Sequence, residues 1–146
     1  MQMETTYSLI LQIFTAGHWR DAMRLEFSEP EKGFDGPCRF HYRQDYLVDN
    51  LDAVRLPFSK SVSARFPLEW DVAVLKKAPA FLHDIAPAGA AKRSLMSRIG
   101  HERPEGVSAD LFLLGRSTPA PIGHMRVKES VQALDGTAPI GFLRRE

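Results

Sequence analysis

Cysteine is almost absent: Cys38 stands alone among 146 residues. That excludes an intrachain disulfide and any metal centre built on several thiolates, and it suits a reducing compartment. A surplus of one charge is also missing, since 19 Lys and Arg face 18 Asp and Glu for a net +1. Nucleic-acid binders draw much of their affinity from phosphate neutralisation and carry a clear basic excess, so composition gives that class no support. Long apolar runs are lacking as well. The stretch after Thr6 is broken by Gln12 and Thr15, far short of the roughly 20 apolar residues that cross a bilayer. Met1 to Thr6 holds no basic residue of the kind that opens a secretory leader. The expected location is therefore the cytoplasm, without membrane contact.

What remains is ordinary globular material. Hydrophobic residues make up 44% and charged residues 25%, and the length suits a single domain of roughly 100–150 residues. A chain of this size buries about two-thirds of its unfolded surface and needs no staple.

Tyr7 to Phe14 reads as a strand. In Trp19 to Phe27, Trp19, Met23, Leu25 and Phe27 alternate with Arg20, Arg24 and Glu26, and only Asp21 interrupts the apolar face. With Thr15-Ala16-Gly17-His18 between them, these segments predict a β-hairpin. Ser28 to Pro37, with Pro30, Gly33, Gly36 and Pro37, predicts a loop. Cys38, Phe40 and Tyr42 alternate with Arg39, His41 and Arg43 in a third strand. Asp45 to Leu51 predicts a short helical turn capped by Asp45, and Ala53 to Phe58 an extended segment. After the polar stretch 59–66, Leu68, Val72, Leu75 and Leu82 recur at helical spacing, interrupted by Pro79. A turn over Asp84 to Gly89 leads to a helix over Ala90 to Ile99, with Gly100 as the glycine that ends it. Ser108 caps a helix through Leu114, and Pro121 to Val127 reads as a last strand. Strands first and helices after predict an α+β domain, with a mostly antiparallel sheet of four to five strands and two to three helices.

Several short motifs, in order, resemble the N-terminal subdomain of HipA-type toxin kinases. They are Phe40-His41-Tyr42, Asp45-Tyr46-Leu47, Leu56-Pro57-Phe58, Phe81-Leu82-His83-Asp84-Ile85-Ala86-Pro87-Ala88-Gly89, Ala109-Asp110-Leu111-Phe112-Leu113-Leu114 and Pro121-Ile122-Gly123-His124-Met125-Arg126-Val127. The resemblance implies such a module over 1–128, with 129–146 a C-terminal extension that is either the tail of a separate module or the start of a longer toxin chain. It also implies a type II toxin–antitoxin setting, as a separate antitoxin-like regulator of a HipA-like serine/threonine kinase. The alternative is the front piece of the toxin itself, packed on its kinase core and docking a DNA-binding antitoxin. Family members bind ATP and transfer phosphate in later domains. This chain has no glycine-rich loop ending in Gly-Lys-Ser or Gly-Lys-Thr and no kinase catalytic loop. The expectation is a non-catalytic module, without cofactor or metal, whose partners are a kinase core and a DNA-binding antitoxin.

Candidate chemistry is sparse. His18, His41, His83, His101 and His124 are scattered, without metal-ligand spacing. Asp84 beside His83 lacks a nucleophile, and its expected role is to organise the corner of Asp84, Pro87 and Gly89 through nearby backbone N–H groups. Lys92, Arg93, Arg98 and Arg103 form a basic stretch that is either a solvated helix face or a contact for DNA or an acidic partner. The expected partner-binding residues are Phe66, Glu69, Trp70 and Asp71. Trp70, flanked by two acids at a loop end, is either the first core residue of a helix or an exposed anchor. In the second case Trp70 and Phe66 would enter the cleft of a kinase.

Overall fold

A computed structural model describes residues 6–54, 60–63, 65–116 and 124–134. Five strands form one antiparallel sheet in the order β4-β3-β2-β1-β5, where β1 is Tyr7–Thr15, β2 His18–Phe27, β3 Cys38–Tyr42, β4 Ala73–Leu75 and β5 Met125–Val127. The helices are α1 (Gln44–Asp49), α2 (Ala80–Ile85), α3 (Gly89–Ile99), α4 (Ala109–Arg116) and α5 (Lys128–Leu134). The fold is α+β, with five α-helices among the described residues where the sequence pattern predicts two to three.

Alternation places the core on one face of the sheet. Leu9, Leu11 and Ile13 of β1, Met23, Leu25 and Phe27 of β2, and Cys38, Phe40 and Tyr42 of β3 are buried, together with Leu111 to Leu114 of α4. Each such aliphatic or aromatic side chain contributes roughly 1.5–3 kcal/mol. The hairpin turns through Ala16 and Gly17, both at positive φ (52° and 82°), the backbone hand that matches strand twist.

The strand alternation of β2 breaks at Ala22. Leu11 pairs with Met23 but Gln12 with Asp21, so Ala22 is an extra residue, a β-bulge. It turns Trp19 and Asp21 to the outer face, which resolves the interruption that Asp21 makes in the sequence pattern. There Arg126 lies 4.3 Å over the Trp19 ring, and Asp21 accepts from Gln12 and Lys128 at 2.8 and 2.7 Å.

Other expectations are corrected. Leu68 to Ala78 is not helical: Ala73–Leu75 pairs with β3 as an edge strand, and Pro79 occupies the N-cap of α2, which holds Leu82. A proline there lacks only an N–H that no helix bond needs. Gly100 has right-handed φ/ψ (−59°, −26°) and continues into a 3-10 turn rather than ending α3 in the left-handed region. Asp45 does not cap α1. Arg43 holds that position without a side-chain bond, and the Asp45 carboxylate accepts from the Tyr46 N–H instead. Ala53 ends a 3-10 turn and Val54 is extended, while 55–58 of the expected extended segment lie outside the described residues. Ser108 does cap α4, its hydroxyl accepting from the Leu111 N–H at 3.2 Å. In α5, Glu129 accepts from the Ile10 N–H of β1 at 3.0 Å, and buried Ser130 donates to the Leu114 carbonyl of α4 at 2.8 Å. Residues 135–146 lie outside the described residues.

Candidate docking surface

The described residues between Lys60 and Asp71 are irregular and are tied to Tyr42 of β3, Tyr46 of α1 and His124. Tyr46 donates its hydroxyl to the Lys60 carbonyl at 2.7 Å. Tyr42 accepts from the buried Val62 N–H at 3.1 Å and donates to the Phe66 carbonyl. His124 Nε2 meets the Ser61 carbonyl. An irregular segment must satisfy its backbone groups somewhere, and here two tyrosines and a histidine do so. Burial raises the Tyr46 phenol to about 12 and the Tyr42 phenol further still, so both stay neutral and free to donate.

So anchored, Phe66 is half-buried and closes an aromatic cluster. Its ring lies 5.0 Å from Phe40 and 5.8 Å from Phe81, edge to face in both cases, the preferred arrangement for such rings. Phe66 also divides two surface hollows. One, of about 220 Å³, is lined by Phe40, Tyr42, Phe66, Glu69, Asp71 and Val72, with His41, Arg65, Pro67 and Ala73 completing it. The other, of about 400 Å³, runs between Phe66, Leu75, Phe81 and Asp84.

Of the expected partner-binding residues, the structure brings Phe66, Glu69 and Asp71 to one hollow. Trp70 stands between the two acids and is 45% exposed. It is not the first core residue of a helix; buried Leu68, two residues earlier, takes the inward place. Phe66 is held as a wall by its ring neighbours, not as a second free anchor. Val72 and Val74 continue the exposed apolar strip along the sheet edge. That strip escapes sequence reading because helical spacing hides a three-residue strand.

The basic stretch does not act as a unit. Lys92 pairs with Asp110 at 2.7 Å and Arg103 donates to the Val107 carbonyl at 2.7 Å, whereas Arg93 and Arg98 are exposed. Asp84 is exposed, and among the described residues its carboxylate has no hydrogen bond or ion pair. The Ala86 N–H bonds to the Leu82 carbonyl there, and Gly89 enters α3 with φ 56°. His83 packs edge-on against Phe34 at 4.9 Å.

Among the described residues, no three His, Cys, Asp or Glu side chains converge as metal ligands do, and none of their helices is long and apolar enough to cross a membrane. Burial raises the Cys38 thiol to about 12, which keeps it protonated and unreactive. Comparison of the chain with protein-family models, curated proteins and solved structures gave no match.

Proposed function

We propose that the chain is a protein-docking module that regulates or packs on a HipA-like serine/threonine kinase in a toxin–antitoxin system. The observation that carries the docking reading is Trp70, 45% exposed beside a hollow walled by rigidly packed aromatics. An indole held out from an anchored segment buries a large area on contact and loses little freedom, which is why tryptophan dominates many interfaces. Glu69 and Asp71 on either side favour a partner surface carrying basic residues at the rim. The choice of a kinase as partner rests on the ordered motifs from Phe40 to Val127, and the hollow beside Phe66 supplies a seat for one apolar side chain of that partner.

The test is capture from native cells with the wild-type chain and with Trp70→Ala as baits. Recovery of a serine/threonine kinase by the first and its loss with the second is the expected result. Equal recovery by both baits refutes the role of Trp70, and a capture without a kinase refutes the choice of partner.

A further inference from the structure

Strand register fixes which side chains leave the sheet on the side away from the core. They include Phe14 and Trp19 of the hairpin, Arg24 and Glu26 of β2, Arg39 of β3 and Arg126 of β5. None of these is buried, so no described element closes over this face. An open antiparallel face ordinarily carries polar residues. Here their signs are unequal. Arg24, Arg39, Arg126 and Lys128 meet two carboxylates, Asp21 and Glu26. Glu26 is shared by Arg24 at 3.1 Å and Arg39 at 3.4 Å, and both arginines stay about half exposed. Asp21 takes Lys128 at 2.7 Å, and at the margin Arg43 is met by Asp45 at 3.5 Å. Arg126 has no carboxylate among the described residues. Its Nε donates to the neutral Gln12 side chain at 2.7 Å, and its guanidinium lies 4.3 Å over the Trp19 ring. The face thus holds two cations in excess, against +1 for the whole chain. Composition averages that clustering away.

An exposed ring stands beside these charges. Phe14 is 48% exposed, and Trp19 steadies it edge to face at 5.3 Å. Cations that hold phosphates and rings on which bases stack are what a single strand of nucleic acid requires, and open sheets receive unpaired bases in this way. A duplex keeps its base faces stacked on one another, and an acidic peptide matches the cations alone.

We infer that the outer face of the sheet binds single-stranded nucleic acid, with phosphates on Arg24, Arg39 and Arg126 and a base on Phe14. This site is separate from docking at Trp70 and stands whether or not the partner is a kinase.

Fluorescence anisotropy of a short labelled deoxythymidine strand, titrated with the full chain, tests it. With about three phosphates engaged, raising salt from about 50 to about 200 mM weakens binding roughly twentyfold. Arg24→Gln combined with Arg39→Gln weakens it at least about tenfold, and Phe14→Ala about fivefold or more. Arg93→Gln combined with Arg98→Gln, on α3, leaves it unchanged. The variants are compared at wild-type circular dichroism and urea midpoint. Absence of binding at about 100 μM chain in low salt overturns the inference, as does a Phe14→Ala chain that binds like wild type. Equal loss in the α3 variant also overturns it, by moving the contact to that helix. A polyglutamate peptide that displaces the strand at equal concentration overturns it in favour of an acidic protein, and a duplex bound as tightly overturns the choice of a single strand.

Discussion

Tyr42→Phe removes one oxygen atom and leaves the ring, its volume and its place beside Tyr46 unchanged. That oxygen serves two backbone groups at once, accepting from Val62 N–H and donating to the Phe66 carbonyl. Val62 is 3% exposed, so its N–H has no access to water once the phenol is gone. A buried polar group left without its partner costs about 1–3 kcal/mol. With two groups affected, and the Phe66 carbonyl nearer the surface, we expect a loss of about 2–4 kcal/mol. Urea unfolding followed by tryptophan fluorescence measures it as a lower midpoint at unchanged slope. Hydrogen exchange of the Val62 amide locates it, because that amide loses protection selectively. A change below about 0.5 kcal/mol, with Val62 as protected as before, refutes the claim that the tyrosines hold this segment in place.

Gly33 lies at φ 61° and ψ −134°, a backbone region close to glycine-only, and a Cβ there would stand 2.5 Å from the Ser108 hydroxyl oxygen. Gly33→Ala combines backbone strain with loss of the α4 cap, and a fall in stability of about 2–4 kcal/mol is expected in the same urea experiment; a shift of a few tenths contradicts it. Burial pushes the Glu129 carboxyl above its ordinary 4.5, against the Ile10 N–H bond and the Lys128 charge that lower it. The folded chain therefore binds that proton more tightly than the unfolded chain, and this group's contribution to stability is greatest below 4.5 and declines as pH rises through the folded value. Burial also pushes Asp21 up, but hydrogen bonds from Lys128 and Gln12, aided by the charges of Lys128 and Arg43, hold it below 3.8; its contribution is present above that value and fades as pH falls. Glu129→Gln keeps an oxygen for Ile10 and abolishes the first trend only, so urea midpoints above pH 4.5 decline less in the variant. An identical pH profile refutes the assignment.

The hairpin and β3 were legible in the sequence because their burial follows a period of two. The cap at Ser108 was legible because a hydroxyl precedes an apolar run. The bulge at Ala22 was not, since an extra residue is defined by its partner strand, and Asp21 alone hinted at it. β4 was hidden because Leu68, Val72, Leu75 and Leu82 keep helical spacing while their backbone is irregular, strand and helix in turn. The acids and Trp70 at the candidate site were visible as a motif. Their setting was not, because it depends on Tyr42 and Tyr46 reaching backbone groups 14 to 24 residues away, a distance that local pattern does not report.

Titration calorimetry of the chain against the proposed kinase partner tests the central claim most directly. Trp70→Ala, with its urea midpoint unchanged, should weaken binding by about 2 kcal/mol or more, roughly thirtyfold in Kd. A Kd within about twofold of wild type would contradict the claim that an exposed indole beside the Phe66 hollow is what the partner recognises.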